Sequence, residues 1–202
     1  SLSGTCNAFT NYEYTAYYVN GVDNLKDKDY VGVLTFDDNY DWQVELTQAD
    51  NKAGIKDKIK TIEAGGGTTI KPALQEAYRA ISQSKAAVKH VILLTDGMGE
   101  TTDYRDVMDA YSKSGITLST VAVGKDSDTK LLEELAEQCG GRYYYSDLSS
   151  DIPKIFAQEV FLGGDSFIQN GNFALSVRTG HELTKGLFTE GWPYIYGYIS
   201  AT

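Results

Sequence analysis

At 202 residues, with 42% hydrophobic and 23% charged side chains, the chain is long enough to bury a substantial core without disulfide staples. A formal net charge of -10 repels nucleic acid and anionic membrane surfaces, and leaves cations and basic partners open. No apolar run reaches the length of a transmembrane helix.

Taken in chain order, Asn7 to Leu25 carries Tyr14, Tyr17, Tyr18, Val22 and Leu25 at three- and four-residue steps, which predicts an amphipathic helix. Tyr30 to Phe36 reads as a buried strand. Trp42, Val44 and Leu46 alternate with polar residues, as an edge strand exposed on one face does, and Asp37, Asp38, Asn39 and Asp41 make the hairpin turn between them. Ile55, Ile59 and Ile62 mark a short helix stopping at Gly65-Gly66-Gly67. A second helical stripe follows, Ile70, Leu74, Ala77, Tyr78 and Ile81, with Pro72 in its first turn, where a missing N–H is harmless.

Val91 to Leu94 is an unbroken apolar run ending in Thr95-Asp96-Gly97, the pattern of a strand buried on both faces at the centre of a parallel sheet. A helix over Tyr104, Val107, Met108 and Tyr111 then ends at Gly115. Ile116 to Val123 is the next strand, Asp128 caps a helix over Leu131, Leu132 and Leu135, and Arg142 to Tyr145 is a short strand. Ser150 or Asp151 opens a helix carrying Ile152, Ile155, Phe156 and Val160. From Gly163 the chain turns glycine-rich and aromatic, and only Tyr194 to Ile199 reads as a strand. The alternation predicts a three-layer, doubly wound α/β fold, its sheet mostly parallel with one antiparallel edge.

In open α/β sheets ligands bind beyond the carboxyl ends of the strands, where Asp96 falls. Three places can meet at such an end: Ser1-Leu2-Ser3-Gly4-Thr5, the glycine loop leading to Thr68 and Thr69, and Thr95-Asp96-Gly97. They offer hydroxyl oxygens and one carboxylate, a hard-oxygen set suited to Mg²⁺, Mn²⁺ or Ca²⁺ and unsuited to zinc. Simpler roles exist for each. Asp96-Gly97 forms turns, and either Thr68 or Thr69 can cap a helix. Cys6 and Cys139 lie in no metal-ligand or redox spacing, and whether they pair depends on the fold.

The order of elements together with Tyr-Val-Gly-Val-Leu-Thr-Phe-Asp, Gly-Gly-Thr-Thr and Leu-Leu-Thr-Asp-Gly resembles a von Willebrand factor type A domain. Within that family the chain is most similar to domains of bacterial membrane-anchored proteins that also carry a glutamine-amidotransferase-like domain. The resemblance implies a Rossmann-like fold over residues 1–162, with 163–202 a tail or the start of another domain. It also implies a metal-ion-dependent adhesion site with Ser3, Thr5, Thr68 and Asp96 as ligands, and Asp37, Thr69 and Gly97 on the binding surface. Ser1 stands where the family's motif Asp-x-Ser-x-Ser has its first aspartate, which implies weakened affinity.

On this alignment the family's first strand lies before Ser1 and is missing. The expectation that follows is that Tyr194 to Ile199, or a segment of a second copy in a strand-exchanged oligomer, fills the central slot. The functional expectation is a non-enzymatic module that binds a protein through that partner's acidic residue, in an extracytoplasmic setting. An inert envelope scaffold and a Mg²⁺-dependent phosphoryl-handling enzyme are the alternatives.

Overall fold

The computed structural model describes residues 3–9, 22, 25–62, 67–96, 101–125, 127–147, 151–164, 168–174 and 194–199; residues 3–9, 153, 160–164, 168–174 and 194–199 are described by backbone alone. The chain divides into two units, Ser1–Gly164 and Asp165–Thr202. In the first, the elements run β1 (Ser3–Phe9), β2 (Tyr30–Phe36), β3 (Tyr40–Gln48), α1 (Lys52–Lys60), α2 (Ile70–Ser82), β4 (Val88–Thr95), α3 (Arg105–Lys113), β5 (Thr117–Val123), α4 (Thr129–Gln138), β6 (Gly140–Ser146) and α5 (Ile152–Gly164). In the second, β7 (Ile168–Ala174) and β8 (Tyr194–Ile199) pair antiparallel as a separate two-stranded sheet.

Alternation along the central strands builds two cores. Val91 and Leu93 of β4, Leu34 and Phe36 of β2, and Leu118 and Ala122 of β5 point to one face, where α2, α3 and α4 bury Leu74, Ile81, Tyr111 and Leu132. Ile92 and Leu94, Val31 and Val33, and Val121 and Val123 point to the other, against Ile55 and Ile59 of α1 and Phe156 of α5. Both faces of the sheet are thus covered, which is why these strands read as near-continuous apolar runs. The six strands lie in the order β3-β2-β1-β4-β5-β6. β3 is antiparallel to β2 and every other neighbouring pair is parallel, giving the doubly wound class with one antiparallel edge. Local signals behave as their chemistry requires. Asp128 Oδ1 accepts from the Leu131 amide at 3.1 Å as the cap of α4, and Gly115, just past α3, has φ +64°.

Two expectations fail at the start of the chain. The central slot is filled by β1 itself, with Gly4 opposite Tyr30 of β2 and Ser3 opposite Val88 of β4, so no first strand is missing before Ser1. β8 pairs with β7 instead, and the need for a strand from another copy disappears with the gap. Asn7, Ala8 and Phe9 accordingly extend β1 and do not begin a helix. Pairing on both sides of the strand overrides a weak local helical pattern. Of the remaining helical stripe, Tyr14, Tyr17 and Tyr18 lie outside the described residues, while Val22 and Leu25 are buried in the second core.

The amino ends of β4, β5 and β6 are tied to α5 by a buried charge cluster. Glu159 of α5 is fully buried; its Oε2 lies 2.8 Å from His90 Nε2, and Arg142 Nε donates to its Oε1 at 2.6 Å. Tyr144 donates to Oε1 as well, and His90 Nδ1 is 2.6 Å from Thr117 Oγ1. Burial alone would raise the Glu159 carboxyl, but hydrogen bonds from His90, Arg142, Ser119 and Tyr144 outweigh it and hold the group down to about 2. Glu159→Ala leaves Arg142 without its counter-charge and His90 Nε2 without its hydrogen-bond partner, and is expected to cost about 3–5 kcal/mol in urea unfolding. Because the folded-state value lies below the ordinary 4.5, the contribution of Glu159 is complete above about pH 4.5 and is lost as pH falls towards 2. Glu159→Gln is expected to flatten that acid limb in a stability-versus-pH series.

Candidate functional site

From β1 the sheet winds one way to β2 and the other way to β4, so the carboxyl end of β1 is a topological switch point, the place where doubly wound folds bind ligands. Register brings three segments to it. Phe9 pairs with Thr35 of β2, and Ala8 with Leu93 of β4. Asp37 and Asp96 therefore both lie two residues beyond the level of Phe9, on opposite sides of β1. Two strand spacings put them about 10 Å apart.

The α2 amino terminus is anchored to the β2 side of this crevice. The Thr69 amide donates to the Asp37 carbonyl at 2.8 Å, and the Asn39 amide donates to Asp37 Oδ1 at 2.8 Å, which folds the hairpin turn over the start of α2. A Cβ at Gly67 would stand 2.6 Å from Asp38 Oδ1, so the glycine is what lets that carboxylate approach the loop. Thr69 occupies the N-cap position of α2 but makes no side-chain capping bond. Thr68, half-buried, precedes it. Asp96 is half-buried, directly after the fully buried Thr95.

Ser3 and Thr5 are not part of this site. They pair with Val88 and His90 at the opposite end of the sheet, and the six residues from His90 to Asp96 amount to about 20 Å of strand. No single ion can touch Thr5 and Asp96. The reason is the register of β1, which puts Ser3 and Thr5 at its amino end. Past Phe9 the sequence reads Thr10-Asn11-Tyr12-Glu13-Tyr14, with no Asp-x-Ser-x-Ser, and these residues lie outside those described, as do Ser1 and Gly97.

Thr68 and Asp96 are thus a hydroxyl and a carboxylate, two hard donors where Mg²⁺ or Ca²⁺ takes six or more oxygens. Among the described residues no group of three His, Cys, Asp or Glu side chains could hold a metal. The described donor set fits a divalent cation in chemistry and only in part in number. Asp37 and Asp41 do not add to it. Asp37 caps the turn, and Asp41, in β3, accepts from Gln43 Nε2 at 3.2 Å.

Three polar residues that the sequence did not single out stand on the β4 side. Lys71 Nζ, in the first turn of α2, donates to the Asp103 carbonyl at 2.6 Å and pairs with Asp106 Oδ1 at 2.7 Å. Lys71 holds the Asp106 carboxyl below its ordinary value, and Gln75 Nε2, one turn further along α2, donates to Asp106 Oδ2 at 3.1 Å. Lys71 and Gln75 sit at i and i+4, a visible helical pair, but their partner lies on another helix and no local pattern announces it.

A family model of the von Willebrand factor type A domain matches residues 9–158. The chain belongs to the von Willebrand factor type A domain family. It is 32% identical over 127 residues to calcium-activated chloride channel regulator 3A-1 of Mus musculus, a match covering 59% of this chain and 14% of that protein. An aerotolerance-related membrane protein from Bacteroides fragilis superposes with TM-score 0.64 at 18% identity, covering 80% of this chain and 98% of that one. Proximal thread matrix protein 1 of the mussel byssus, with a zinc-occupied MIDAS motif, superposes with TM-score 0.66 at 21% identity, covering 80% of this chain and 45% of that one. The chain therefore spans a small part of its mouse relative, and the two structures share its type A fold.

The remaining candidates have structural roles. His90 and Tyr144 belong to the Glu159 cluster, and Tyr143 packs against the core formed with α2, α3 and α4. Cys139, at the end of α4, is a free and buried thiol that burial pushes up to about 11. It is expected to resist iodoacetamide at pH 8 in the native protein and to react in urea, as read by mass spectrometry of its peptide.

Proposed function

We propose that the chain is a non-enzymatic protein-binding module whose docking face is the carboxyl end of the sheet around Thr68, Thr69, Asp37 and Asp96. The observation that supports this reading is that the start of α2, tied to Asp37 through the Thr69 amide, and Asp96 lie at the same end of the sheet on the two sides of β1, at the switch point. Thr68 and Asp96 hold a divalent cation weakly there, Mg²⁺ first and Mn²⁺ or Ca²⁺ next. A bound cation would supply an electron-poor centre, to which an acidic side chain of the partner protein would add a further oxygen. The mussel protein, which shares the fold, carries a zinc-occupied MIDAS motif, and that supports looking for a divalent metal here.

The non-enzymatic reading rests on the fate of the one described histidine. His90 is buried in the Glu159 cluster, about 20 Å along the sheet from Asp96, and cannot serve as a base there. For the setting, we infer an extracytoplasmic domain of a bacterial membrane-anchored protein, of the kind that also carries a glutamine-amidotransferase-like domain. The sequence resemblance supports it, as does the likeness to a Bacteroides membrane protein. No helix among the described residues is long and apolar enough to cross a membrane, so an anchor would lie elsewhere.

A second reading, a scaffold domain whose metal site has decayed, is favoured by the lack of an Asp-x-Ser-x-Ser sequence after Phe9. Calorimetry with Mg²⁺, Mn²⁺ and Ca²⁺ separates the two. Binding at millimolar metal or tighter is expected, abolished by Asp96→Ala and weakened about tenfold or more by Thr68→Ala. No heat with any of the three ions selects the scaffold. Magnesium-dependent phosphatase activity that vanishes with Asp96→Ala would instead establish an enzyme.

A further inference from the structure

The α2 amino terminus straddles the switch point and is tied on both sides. Towards β2, the Thr69 amide bonds to the Asp37 carbonyl at 2.8 Å; towards β4, Lys71 reaches the Asp103 carbonyl at 2.6 Å and Asp106 Oδ1 at 2.7 Å. Asp103 lies seven residues after Asp96 and opens the turn into α3, where Arg105 amide and side-chain hydrogen bonds to its carboxylate, 2.6 to 3.0 Å, fix it further. Lys71 lies three residues after Thr68. The lysine therefore closes a circuit from Thr68, through its own side chain, to Asp103 and back along the chain to Asp96.

We propose that Lys71 is a positioning residue for the binding face, a strap that fixes the turn at Asp103 and the start of α3 against the loop carrying Thr68. The interaction suits the task. A carbonyl and a carboxylate converge on one ammonium, both at charge-assisted distances, and the side chain is only 21% exposed, so water competes weakly. Other contacts also join these helices: Gln75 Nε2 reaches Asp106 Oδ2 at 3.1 Å, Tyr111 OH donates to the Leu74 carbonyl at 2.8 Å and Tyr78 OH lies 2.8 Å from Ser114 Oγ, but among the described residues of α2 Lys71 is the one whose side chain reaches the turn at Asp103. Without the strap, residues 101–104 ahead of α3 gain conformational freedom that must be lost again on each binding event.

The inference rests on the reading of Thr68 and Asp96 as the binding pair, and its test separates the two. Removing a positive charge near a cation site tightens cation binding if charge is all that matters. Removing a strap weakens it. Lys71→Met is expected to speed amide hydrogen exchange across residues 101–106 in metal-free protein and to weaken Mn²⁺ binding about tenfold, with Lys71→Arg restoring both. Unchanged exchange in Lys71→Met would overturn the strap whatever the metal does. Faster exchange with unchanged or tighter Mn²⁺ binding, still abolished by Asp96→Ala, would overturn the positioning role and leave the binding pair standing. A wild-type protein that takes up no Mn²⁺ at millimolar concentration would overturn the binding pair and the positioning role with it, while the exchange result still decides whether the strap exists.

Discussion

Parallel pairing of Ser3–Phe9 with β2 on one side and β4 on the other makes the six strands a single sheet. Without it β2 and β3 would be a hairpin, and β4 to β6 a three-stranded fragment with an apolar edge open to any passing strand. The same pairing fixes where ligands can bind. A doubly wound sheet has its crevice where winding reverses, and reversal happens at β1 because its neighbours come from opposite directions in the strand order. The register then decides which residues reach that crevice.

The two ends of the sheet are held by different means. At the amino ends, a buried carboxylate receives hydrogen bonds from β4, β5 and β6, and its desolvation is offset only because every oxygen is used. Such a cluster tolerates little displacement. At the carboxyl ends the ties are a main-chain bond between exposed turns and a lysine bridging two first turns, contacts that ordinary loop motion can strain. This division puts the buried, fully paired contacts at the end opposite the proposed binding face and the more exposed ones beside it, in keeping with binding sites drawn from the less stable parts of a fold.

The sequence disclosed whatever depends on periodicity. Tyr30–Phe36 matches its expected bounds and Ile70–Ser82 contains the expected stripe from Ile70 to Ile81, because a doubly buried strand and a helix with a wide apolar stripe leave unmistakable patterns. Asp96 was legible as the residue after a central strand. β1 was not. Ser3-Gly4-Thr5-Cys6-Asn7-Ala8-Phe9 contains no run of branched apolar residues, and its strand character comes from partners more than twenty residues away in sequence. That one misreading placed the metal motif at the wrong end of the strand and moved Ser3 and Thr5 into the site. The Glu159 and Lys71 interactions were hidden for a related reason. Their partners are 69 and 32 residues distant, and a lone histidine or a surface lysine carries no local mark of such a contact.

The geometry of the binding face does not depend on a metal. Thr69 to Asp37, Lys71 to Asp103 and Asp106, and the approach of Asp38 to Gly67 are protein–protein contacts made by the chain on itself, and together they set the positions of all three loops. A cation bound by Thr68 and Asp96 would add charge to a surface already shaped. This differs from small metal-nucleated domains, in which binding energy is folding energy. On the proposed reading, a weakened site would cost this domain attraction for acidic partners before it cost shape. A partner that reads the contour of the three loops can thus persist through a loss of metal affinity that would release one held by its carboxylate alone.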